Sequence, residues 1–286
     1  MWRYEHCGLR VASECVIAGL TPSASTGEAD VRVVVAGHAQ SVAAGPRATW
    51  LPGGRCRIRF PGVGQFEVCG GEEVAVRPER GASEAQVSLF LLGAVWAALL
   101  HQRGAFALHA GVVADGEGTI AFCGPRGAGK SSAVAQLLRR GHTLVSDDLT
   151  RLDVREGAPP LVWPSTRRVK LTVEAVAAVG APAPSPAPPM PDGKLHLPWT
   201  AEMPPEPLPL RALYALSWGE PPRAARLRGH EAVAAVAAGA TYRPELVEPA
   251  EGPARHWIHC TRIAQQVAIH EFVRPRDWSA VLPPTA

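Results

Sequence analysis

The sequence predicts an α/β protein in which a smaller, mostly β region precedes a larger domain of alternating strands and helices. Residues 1–80 contain short segments of alternating polarity separated by Gly and Pro, a pattern typical of β-strands. Further on, a glycine-rich stretch lies between an apolar strand pattern and an amphipathic helix pattern. With 286 residues, 47% of them hydrophobic, the chain has enough apolar material for two domains. We therefore divide it into residues 1–82, a connecting core helix at 83–104, and a domain at 105–286.

Composition excludes several classes of protein. The net charge of +3 is too small to indicate a nucleic-acid partner, and no Lys/Arg run is present. No pair of cysteines has C-x-x-C spacing, so buried, reduced thiols are expected rather than a zinc site. Residues 1–6 lack the apolar region of a signal peptide. We expect a cytoplasmic protein. The six cysteines are Cys7, Cys15, Cys56, Cys69, Cys123 and Cys260.

The first 82 residues are predicted to form strands, for example at Val31–Val35 and Cys56–Phe60. They hold no cluster of catalytic residue types, so a scaffold and a docking surface for a partner both stay open. Ser83 and Gln86 have the spacing of a capping box and should begin a core helix that contains Trp96. Its apolar run, 87–100, is shorter than the ~20 residues of a bilayer span, so no membrane association is expected.

The glycine-rich stretch fits the phosphate-binding pattern G-x-x-x-x-G-K-[ST]. Glycines allow backbone N–H groups to curl around an anion, and the following helix N-terminus favours negative charge. Lys130 would reach the β- and γ-phosphates, and Ser131 would offer its hydroxyl to Mg²⁺. A chance glycine-rich turn is the alternative. The predicted nucleotide-binding residues are Gly124, Pro125, Arg126, Gly127, Ala128, Gly129, Lys130, Ser131 and Ser132.

The surroundings of this loop support the prediction. Residues 119–123 are apolar and should form the strand that enters the loop, and residues 131–140 should form the helix that leaves it, ending at Gly141. An earlier strand at 107–113 is joined to the loop strand by a D-G turn at 115–118, which predicts a hairpin. His109 would then lie on the strand beside the loop strand.

Two adjacent acids, Asp147 and Asp148, follow a predicted strand at 142–146. Ligands of α/β sheets gather at the carboxyl ends of strands, where these side chains could meet Mg²⁺ or an attacking hydroxyl. The alternative is that one of them caps the following turn, as Asp often does.

Cationic side chains recur after the acids. Residues 161–171 are predicted to form a loop rich in donors, and we assign Arg167 and Arg168 as a phosphate or acceptor clamp. Eleven of the 28 residues from 182 to 209 are proline, which predicts an extended or mobile segment within a loop at 181–209. Lys194 interrupts these prolines and could close over substrate. A solvated basic loop and an ordinary linker lysine are the alternatives.

The remaining chain is predicted to contain two strands and two helices, followed by a short terminal helix that begins at Pro275. The strands are 211–218 and 267–273, and the helices are 231–238 and 254–266, with Trp257, Ile258 and Ile263 available to pack in the last helix.

Three motifs in the stretch 105–152 resemble the HPr kinase/phosphorylase family. They are His109-Ala110-Gly111-Val112, the P-loop, and the run from Arg140 through Gly141 and His142 to Asp147-Asp148. The family has H-G-V, a P-loop ending in G-K-S, and R-G-H-x-L-[IV]-A-D-D in the same order. The resemblance implies a P-loop core of the HPr-kinase type, which is shared with ATP-dependent phosphoenolpyruvate carboxykinase.

The resemblance also implies roles for residues. Asp147 would accept the proton of an acceptor serine, His109 would tune it, and Ser131 with Asp148 would hold Mg²⁺, with ATP as the donor. The family's L-E-I-R-G signature, whose Glu supports the metal, is replaced here by residues 167–171 without an acid. The opening, Cys7-Gly8-Leu9-Arg10-Val11-Ala12-Ser13, resembles HPr-kinase-related proteins of peptide maturation, such as lasso-peptide precursor kinases.

These observations lead to one main hypothesis, a Mg²⁺/ATP-dependent serine kinase whose acceptor is a peptide or small protein, for example the C-terminal serine of a lasso-type precursor. The alternatives are an HPr serine kinase, a nucleotide-binding regulatory module without phosphotransfer, and a small-molecule kinase or carboxykinase-like enzyme. HPr kinases assemble into rings, so a homo-oligomer is also left open.

Overall fold

The computed structural model describes residues 1–41, 47–180, 193–240, 242–247 and 252–276. The protein is a mixed α/β structure that divides into two compact units. The first comprises Met1–Ala107 and Tyr242–His256, and the second comprises Leu108–Thr241 and Trp257–Ala286. Residues 242–256, which the sequence analysis grouped with the second domain, thus belong to the first unit. All six cysteines are free thiols, and four of them are buried.

The first unit is built on a seven-stranded mixed sheet, which follows from the alternating polarity of its segments. In the strand Arg55–Phe60, for example, Cys56, Ile58 and Phe60 are buried and alternate with more exposed arginines. The order across the sheet is β1-β2-β3-β7-β6-β5-β4. The strands are β1 Trp2–His6, β2 Leu9–Ser13, β3 Val31–Val35, β4 Arg47–Leu51, β5 Arg55–Phe60, β6 Gly64–Cys69 and β7 Glu73–Pro78.

A long apolar helix follows this sheet in the chain. It consists of α1 (Glu84–Phe90), a wider π turn at Leu91–Val95, and α2 (Trp96–Gln102). The capping box is confirmed, because the Ser83 hydroxyl accepts from the Gln86 N–H and the Gln86 side chain accepts from the Ser83 N–H. The helix Glu84–Gln102 is longer than the apolar run 87–100, and by length and composition alone it could cross a membrane, a test that a buried core helix also passes. In the structure 72% of its apolar window is buried, and Trp96 is fully buried as predicted.

The second unit also contains a seven-stranded sheet, ordered β11-β10-β8-β9-β14-β16-β15, with an additional pairing of β11 to β14. The predicted hairpin is confirmed, since β8 and β9 pair antiparallel with Gly111 opposite Phe122. β9, β14 and β16 run parallel to one another. The strands are β8 Phe106–Ala114, β9 Thr119–Cys123, β10 Thr143–Asp153, β11 Leu161–Val162, β14 Leu208–Trp218, β15 Arg223–Arg226 and β16 Ala268–Arg274, and a separate two-stranded sheet joins β12 Arg168–Leu171 to β13 Leu195–Pro198.

The helix α3 (Lys130–Arg139) directly follows the glycine-rich loop. Its residues Val134 and Leu137 belong to a buried cluster with Phe122 of β9, Leu144 of β10 and Leu171 of β12. This cluster fixes the helix against the strands that carry the predicted site residues. The helices are α3 Lys130–Arg139, α4 Val173–Val179, α5 Gly229–Ala240 and α6 Gly252–Gln266.

The structure corrects several sequence predictions. The strand before the acids does not end there, because β10 continues through both aspartates to Asp153. Residues 161–171 are not one loop but include β11 and β12. The proline-rich segment contains β13 and the start of β14, and its residues 181–192 lie outside the described part of the chain. The predicted terminal helix also lies mostly outside it. Trp257 and Ile258 are about half exposed, whereas Ile263 is buried.

Candidate active site

The glycine-rich loop leaves β9 and enters α3 directly. Gly129 is the N-cap of α3 with a φ of 85°, a left-handed conformation that glycine adopts at low cost. A Cβ at Gly129 would also collide with the guanidinium of Arg274. At Gly124 a Cβ would lie 2.7 Å from the carbonyl oxygen of Leu216. The two glycines are therefore required both by the turn and by the close approach of β14 and β16.

Lys130, the first residue of α3, is 9% exposed and folds back over the loop. Its Nζ donates to the carbonyl oxygens of Gly124 at 2.8 Å and Pro125 at 3.2 Å. Burial lowers the pKa of Lys130, although the nearby charge of Asp148 acts in the opposite direction. The ammonium is thus held over the loop, the position from which a P-loop lysine meets phosphates.

A cleft of about 770 Å³ opens in front of the loop. Its described lining residues include no Asp or Glu, while five of them are cationic. Lys194 is close enough to Lys130 that its charge helps to lower the pKa of Lys130. Like charges converging on one cleft favour a polyanionic ligand. The five cationic lining residues are Arg126, Lys130, Lys170, Lys194 and Arg276.

Asp147 lies beside the first turn of α3. It is 3% exposed, and its two carboxylate oxygens accept from the Ser131 hydroxyl at 2.9 Å and from the Lys170 N–H at 2.8 Å. Burial raises the pKa of Asp147, and the hydrogen bonds from Lys170 and Ser131 act against that rise. This carboxylate is therefore enclosed by the protein on both of its oxygens.

Asp148 has different surroundings. Its φ of 87° turns the backbone within β10, and its side chain is 24% exposed. The Lys170 ammonium lies 2.5 Å from one carboxylate oxygen and His109 Nε2 lies 3.4 Å from the other. Although burial alone would raise it, the charge of Lys170, followed by the hydrogen bond from His109, holds the pKa of Asp148 well below its ordinary value.

His109 reaches Asp148 because β8 and β10 are neighbours in the sheet. Two residues further along β8, a Cβ at Gly111 would lie 2.5 Å from Val134 Cγ2 and 3.2 Å from an Asp147 carboxylate oxygen. The absence of a side chain at Gly111 thus allows α3 and Asp147 to approach β8. This gives a physical reason for glycine in the His109–Val112 motif.

The predicted site residues are only partly brought together. The loop, Lys130, Ser131, both aspartates and His109 converge, and Lys194 lines the cleft. Arg167 instead donates to the carbonyl of Ala201 at an exposed position. Arg168 is buried but is not among the cleft's lining residues.

Lys170, which contacts both aspartates, was missed as a site residue. The signal for it was present in the sequence. If residues 168–171 are treated as a strand, Arg168 and Lys170 share one face and Val169 and Leu171 share the other, and the latter two are indeed in the core. Because residues 161–171 are predicted as a loop, the alternation of side chains along 168–171 is not used in the sequence prediction.

The pairing of the acids also differs from the prediction. Ser131 contacts Asp147 rather than Asp148, and His109 contacts Asp148 rather than Asp147. A hydroxyl and one carboxylate beside a phosphate-binding loop are donors that fit Mg²⁺, which commonly takes one or two carboxylates and completes its shell with phosphates and water. Within the described part of the chain, no group of three or more His, Cys, Asp or Glu side chains forms a metal site by itself.

Comparison with known proteins gives little further information. No protein-family model matches the chain, and no curated protein matches it. Among solved structures, the HPr(Ser) kinase/phosphatase from Coxiella burnetii is similar over 59% of this chain and 85% of that one, with 12% sequence identity and a TM-score of 0.29. Likeness at that level does not transfer the activity or the substrate of that enzyme to this chain.

Proposed function

We propose that this protein is a Mg²⁺/ATP-dependent phosphotransferase. The observation that carries the proposal is the continuous contact chain from the P-loop to an accessible carboxylate: Ser131 to Asp147, Asp147 to Lys170, Lys170 to Asp148, and Asp148 to His109. A phosphate-binding loop alone supports binding only. A loop joined to a paired, solvent-accessible acid also supports transfer to a hydroxyl.

The triphosphate of ATP is proposed to occupy the cationic cleft. The left-handed Gly129 and the start of α3 supply backbone N–H groups, and Lys130 supplies a buried positive charge. Lys170 and Lys194 also line the cleft, and they are proposed to take the place of the predicted arginine clamp. Phosphoryl transfer depends mainly on positioning and charge stabilisation, which these residues are suited to supply.

Ser131 and Asp147 are proposed to hold Mg²⁺. Bound there, the ion would neutralise phosphate charge. Their hydrogen bond resembles the contact between a P-loop serine and an acidic metal partner, and the enclosed position of Asp147 leaves it little access to an acceptor. This reverses the metal and base roles that the family resemblance implies for the two aspartates.

Asp148 is proposed to receive the acceptor's proton. In the balanced step the acceptor oxygen forms a bond to the γ-phosphorus, the bond from that phosphorus to the ADP oxygen breaks, and the acceptor's proton passes to the Asp148 carboxylate. Its low pKa keeps Asp148 ionised at neutral pH, ready to accept a hydrogen bond. His109 and Lys170 orient it.

The acceptor is proposed to be a serine hydroxyl of a peptide or small protein, with the C-terminal serine of a lasso-type precursor as the first candidate and HPr as the second. The serine acceptor and the HPr candidate rest on the three-motif resemblance at residues 105–152, and the lasso-type candidate rests on the resemblance of the opening at residues 7–13.

A nucleotide-binding regulatory module is the alternative function, and one observation favours it. The ammonium of Lys170 lies against Asp148, on the strand where the resembling family has an acid that supports the metal. A site adapted for binding alone could retain the loop and replace that acid.

The decisive experiment combines binding and transfer. Purified wild type, Asp147→Asn and Asp148→Asn are titrated with ATP in the presence and absence of Mg²⁺, then incubated with γ-labelled ATP, serine-ended peptides and HPr, with mass spectrometry of the acceptors. Glu156→Gln is the matched control, because Glu156 is 85% exposed and pairs only with Arg262 among the described residues.

We expect Asp147→Asn to lose the Mg²⁺ dependence of ATP binding. We expect Asp148→Asn to bind MgATP like wild type while transfer falls by about 10²- to 10⁴-fold, the range typical of a lost general base. Equal transfer by wild type and Asp148→Asn would contradict the base assignment. Tight binding with no labelled acceptor in any reaction would favour the regulatory module.

A further inference from the structure

Two residues outside the sequence motifs contact backbone carbonyls of the phosphate-binding loop, and one of them, Trp218, also lines the cleft. Trp218 ends β14 and Arg274 ends β16, and the register of these parallel strands places the two residues directly opposite each other. The carboxyl ends of both strands meet the loop that follows β9, their parallel neighbour. No pattern in the sequence connects a residue near 218 and one near 274 with a loop at 124–131.

Their contacts fall on three consecutive backbone carbonyls. Trp218 Nε1 donates to the oxygen of Gly127 at 2.9 Å. Arg274 Nη2 donates to the oxygens of Ala128 at 3.3 Å and Gly129 at 2.9 Å. The guanidinium carbon lies 4.8 Å from the centroid of the indole, within the range of a cation–π contact that holds the two donors together.

The planarity of the peptide bond gives these contacts a consequence. In a trans peptide the N–H points away from the carbonyl of the same unit, and no cis bond is found among the described residues of the loop. Carbonyls held on Arg274 therefore direct the N–H groups of Gly129 and Lys130 to the opposite side. Both residues line the cleft. A flipped peptide would instead present a carbonyl oxygen to a phosphate.

Within the part of the chain that the structure describes, the charge of Arg274 has no counter-ion. The residue is 4% exposed, no carboxylate among the described residues pairs with it, and its buried Nε has no hydrogen-bond partner there. Burial lowers the pKa of Arg274 to about 10, which still leaves it protonated at neutral pH. A buried, unpaired cation is costly by itself, and an anion in the adjacent loop would compensate it.

We propose that Trp218 and Arg274 form a brace that holds the loop in its phosphate-binding conformation, with Arg274 also supplying positive charge behind the phosphates. Arg274 is a positioning residue that acts through the backbone of the loop, as does the indole N–H of Trp218, whose ring also lines the cleft. The proposal deepens the proposed function, on which it rests for the nature of the ligand, a di- or triphosphate. It does not require that phosphate be transferred.

The test measures binding by calorimetry with two probes, pyrophosphate and ATP, on the full chain. Trp218→Phe keeps an aromatic ring under Arg274 but removes the N–H donor. Arg274→Lys keeps the charge, and Arg274→Met removes it. Arg223→Met is the matched control, since Arg223 is an exposed arginine on the neighbouring strand β15, paired with Glu271.

We expect Arg274→Met to weaken pyrophosphate binding about 10- to 100-fold, the effect of losing hydrogen bonds from a charged group. Arg274→Lys should recover part of that loss, and Trp218→Phe should weaken binding about 3- to 10-fold. Arg223→Met should bind like wild type. The unfolding midpoint of each variant without ligand is measured in parallel.

A merely structural role would lower that midpoint and leave the affinity of the folded protein unchanged, and this result would overturn the brace. Wild-type affinity in both Arg274 variants and in Trp218→Phe would overturn it equally. If wild type binds neither probe, the proposed function itself is wrong and the brace fails with it. If wild type binds pyrophosphate but transfers no phosphate, the result supports the brace and contradicts the proposed phosphotransferase.

Discussion

Adjacent residues of one strand have opposite electrostatic surroundings in this protein. Asp147 is enclosed and its pKa is raised by burial, whereas Asp148 is partly exposed and the charge of Lys170 holds its pKa low. Both carboxylates meet Lys170, but Asp147 accepts from its backbone N–H whereas Asp148 pairs with its ammonium. The motif identifies two acids, but only the tertiary contacts decide that Asp147 is buried and Asp148 partly exposed.

Lys170→Met tests this account at the level of a single residue. The variant leaves Asp148 without its closest cation, so we expect the free energy of unfolding at pH 7 to fall by about 1–3 kcal/mol, below the value for a fully buried pair because Asp148 is partly exposed. Unfolding in urea measures it. Lys194→Met, which leaves the ion pair intact, is the control.

The pH dependence of that difference follows from the low pKa of Asp148. A carboxylate whose pKa is depressed by folding contributes stability above its unfolded pKa, and this contribution is lost as the pH falls through the folded pKa. The gap in unfolding free energy between wild type and Lys170→Met should therefore narrow as the pH falls from 5 towards 2. A gap that stays constant over this interval would contradict the ion-pair account.

Secondary-structure elements set the spacing within the site. α3 approaches β8 closely because Gly111 presents no side chain to Val134. Val169 and Leu171 of β12 belong to the same buried cluster as Val134, and Lys170, which lies between them in the strand, meets the aspartates. Two packing contacts of one helix thus determine where the loop, the acids and the lysine meet.

Gly111→Ala tests the approach of β8 to α3. The added methyl meets Val134 Cγ2 at 2.5 Å, so we expect a loss of about 1–3 kcal/mol in unfolding free energy, typical of overpacking. Val134→Ala removes the opposing methyl groups. The double variant should lose clearly less stability than the sum of the two single variants, because the residues are in contact. Strict additivity in urea unfolding would show that the contact does not limit the approach.

At the level of the whole molecule, the candidate site belongs entirely to the unit Leu108–Thr241 with Trp257–Ala286. The other unit has its own sheet and its own buried helix. A ligand that binds only the native P-loop stabilises the structure that carries the loop. The effect of nucleotide should therefore be confined to one part of the chain.

Hydrogen exchange with and without saturating MgADP checks this expectation. We expect slower exchange in peptides covering the loop and α3 and in those covering Lys170–Ala175, with no change in β1–β7. At a ligand concentration of 100 times Kd, the stabilisation should reach about 2.7 kcal/mol. Lys130→Ala should remove the protection. Protection spread evenly over β1–β7 would contradict a site confined to the second unit.

Local patterns were enough for much of the fold. Alternating polarity predicted strands of the first sheet, the Ser83–Gln86 spacing predicted a helix start, and the D-G turn predicted the β8–β9 hairpin. These features depend on hydrogen bonds and side-chain directions between residues close in sequence. For the same reason the glycine-rich loop and the helix that follows it were predictable from the sequence. The approach of His109 to the acid pair was implied only by the family resemblance, which named Asp147 rather than Asp148 as its partner.

Other features depend on distant partners and left no local signal. β11 is two residues long and exists because β10 and β14 pair with it. β10 continues past two aspartates, residues with low strand propensity, because neighbouring strands supply its hydrogen bonds. From the sequence, the strand before the acids is predicted to end at residue 146 and residues 161–171 are predicted to form a loop.

The sequence by itself determined the α/β class, the glycine-rich loop between a strand and a helix, and the identity of the acids, because each depends on residues adjacent in the chain. Only the tertiary structure decided which acid Ser131 contacts, that Lys170 rather than Arg167 or Arg168 lines the cleft, and that Trp218 and Arg274 donate to the loop carbonyls. Those relations join residues 16 to 146 positions apart, and packing of strands and helices, rather than local propensity, brings them together.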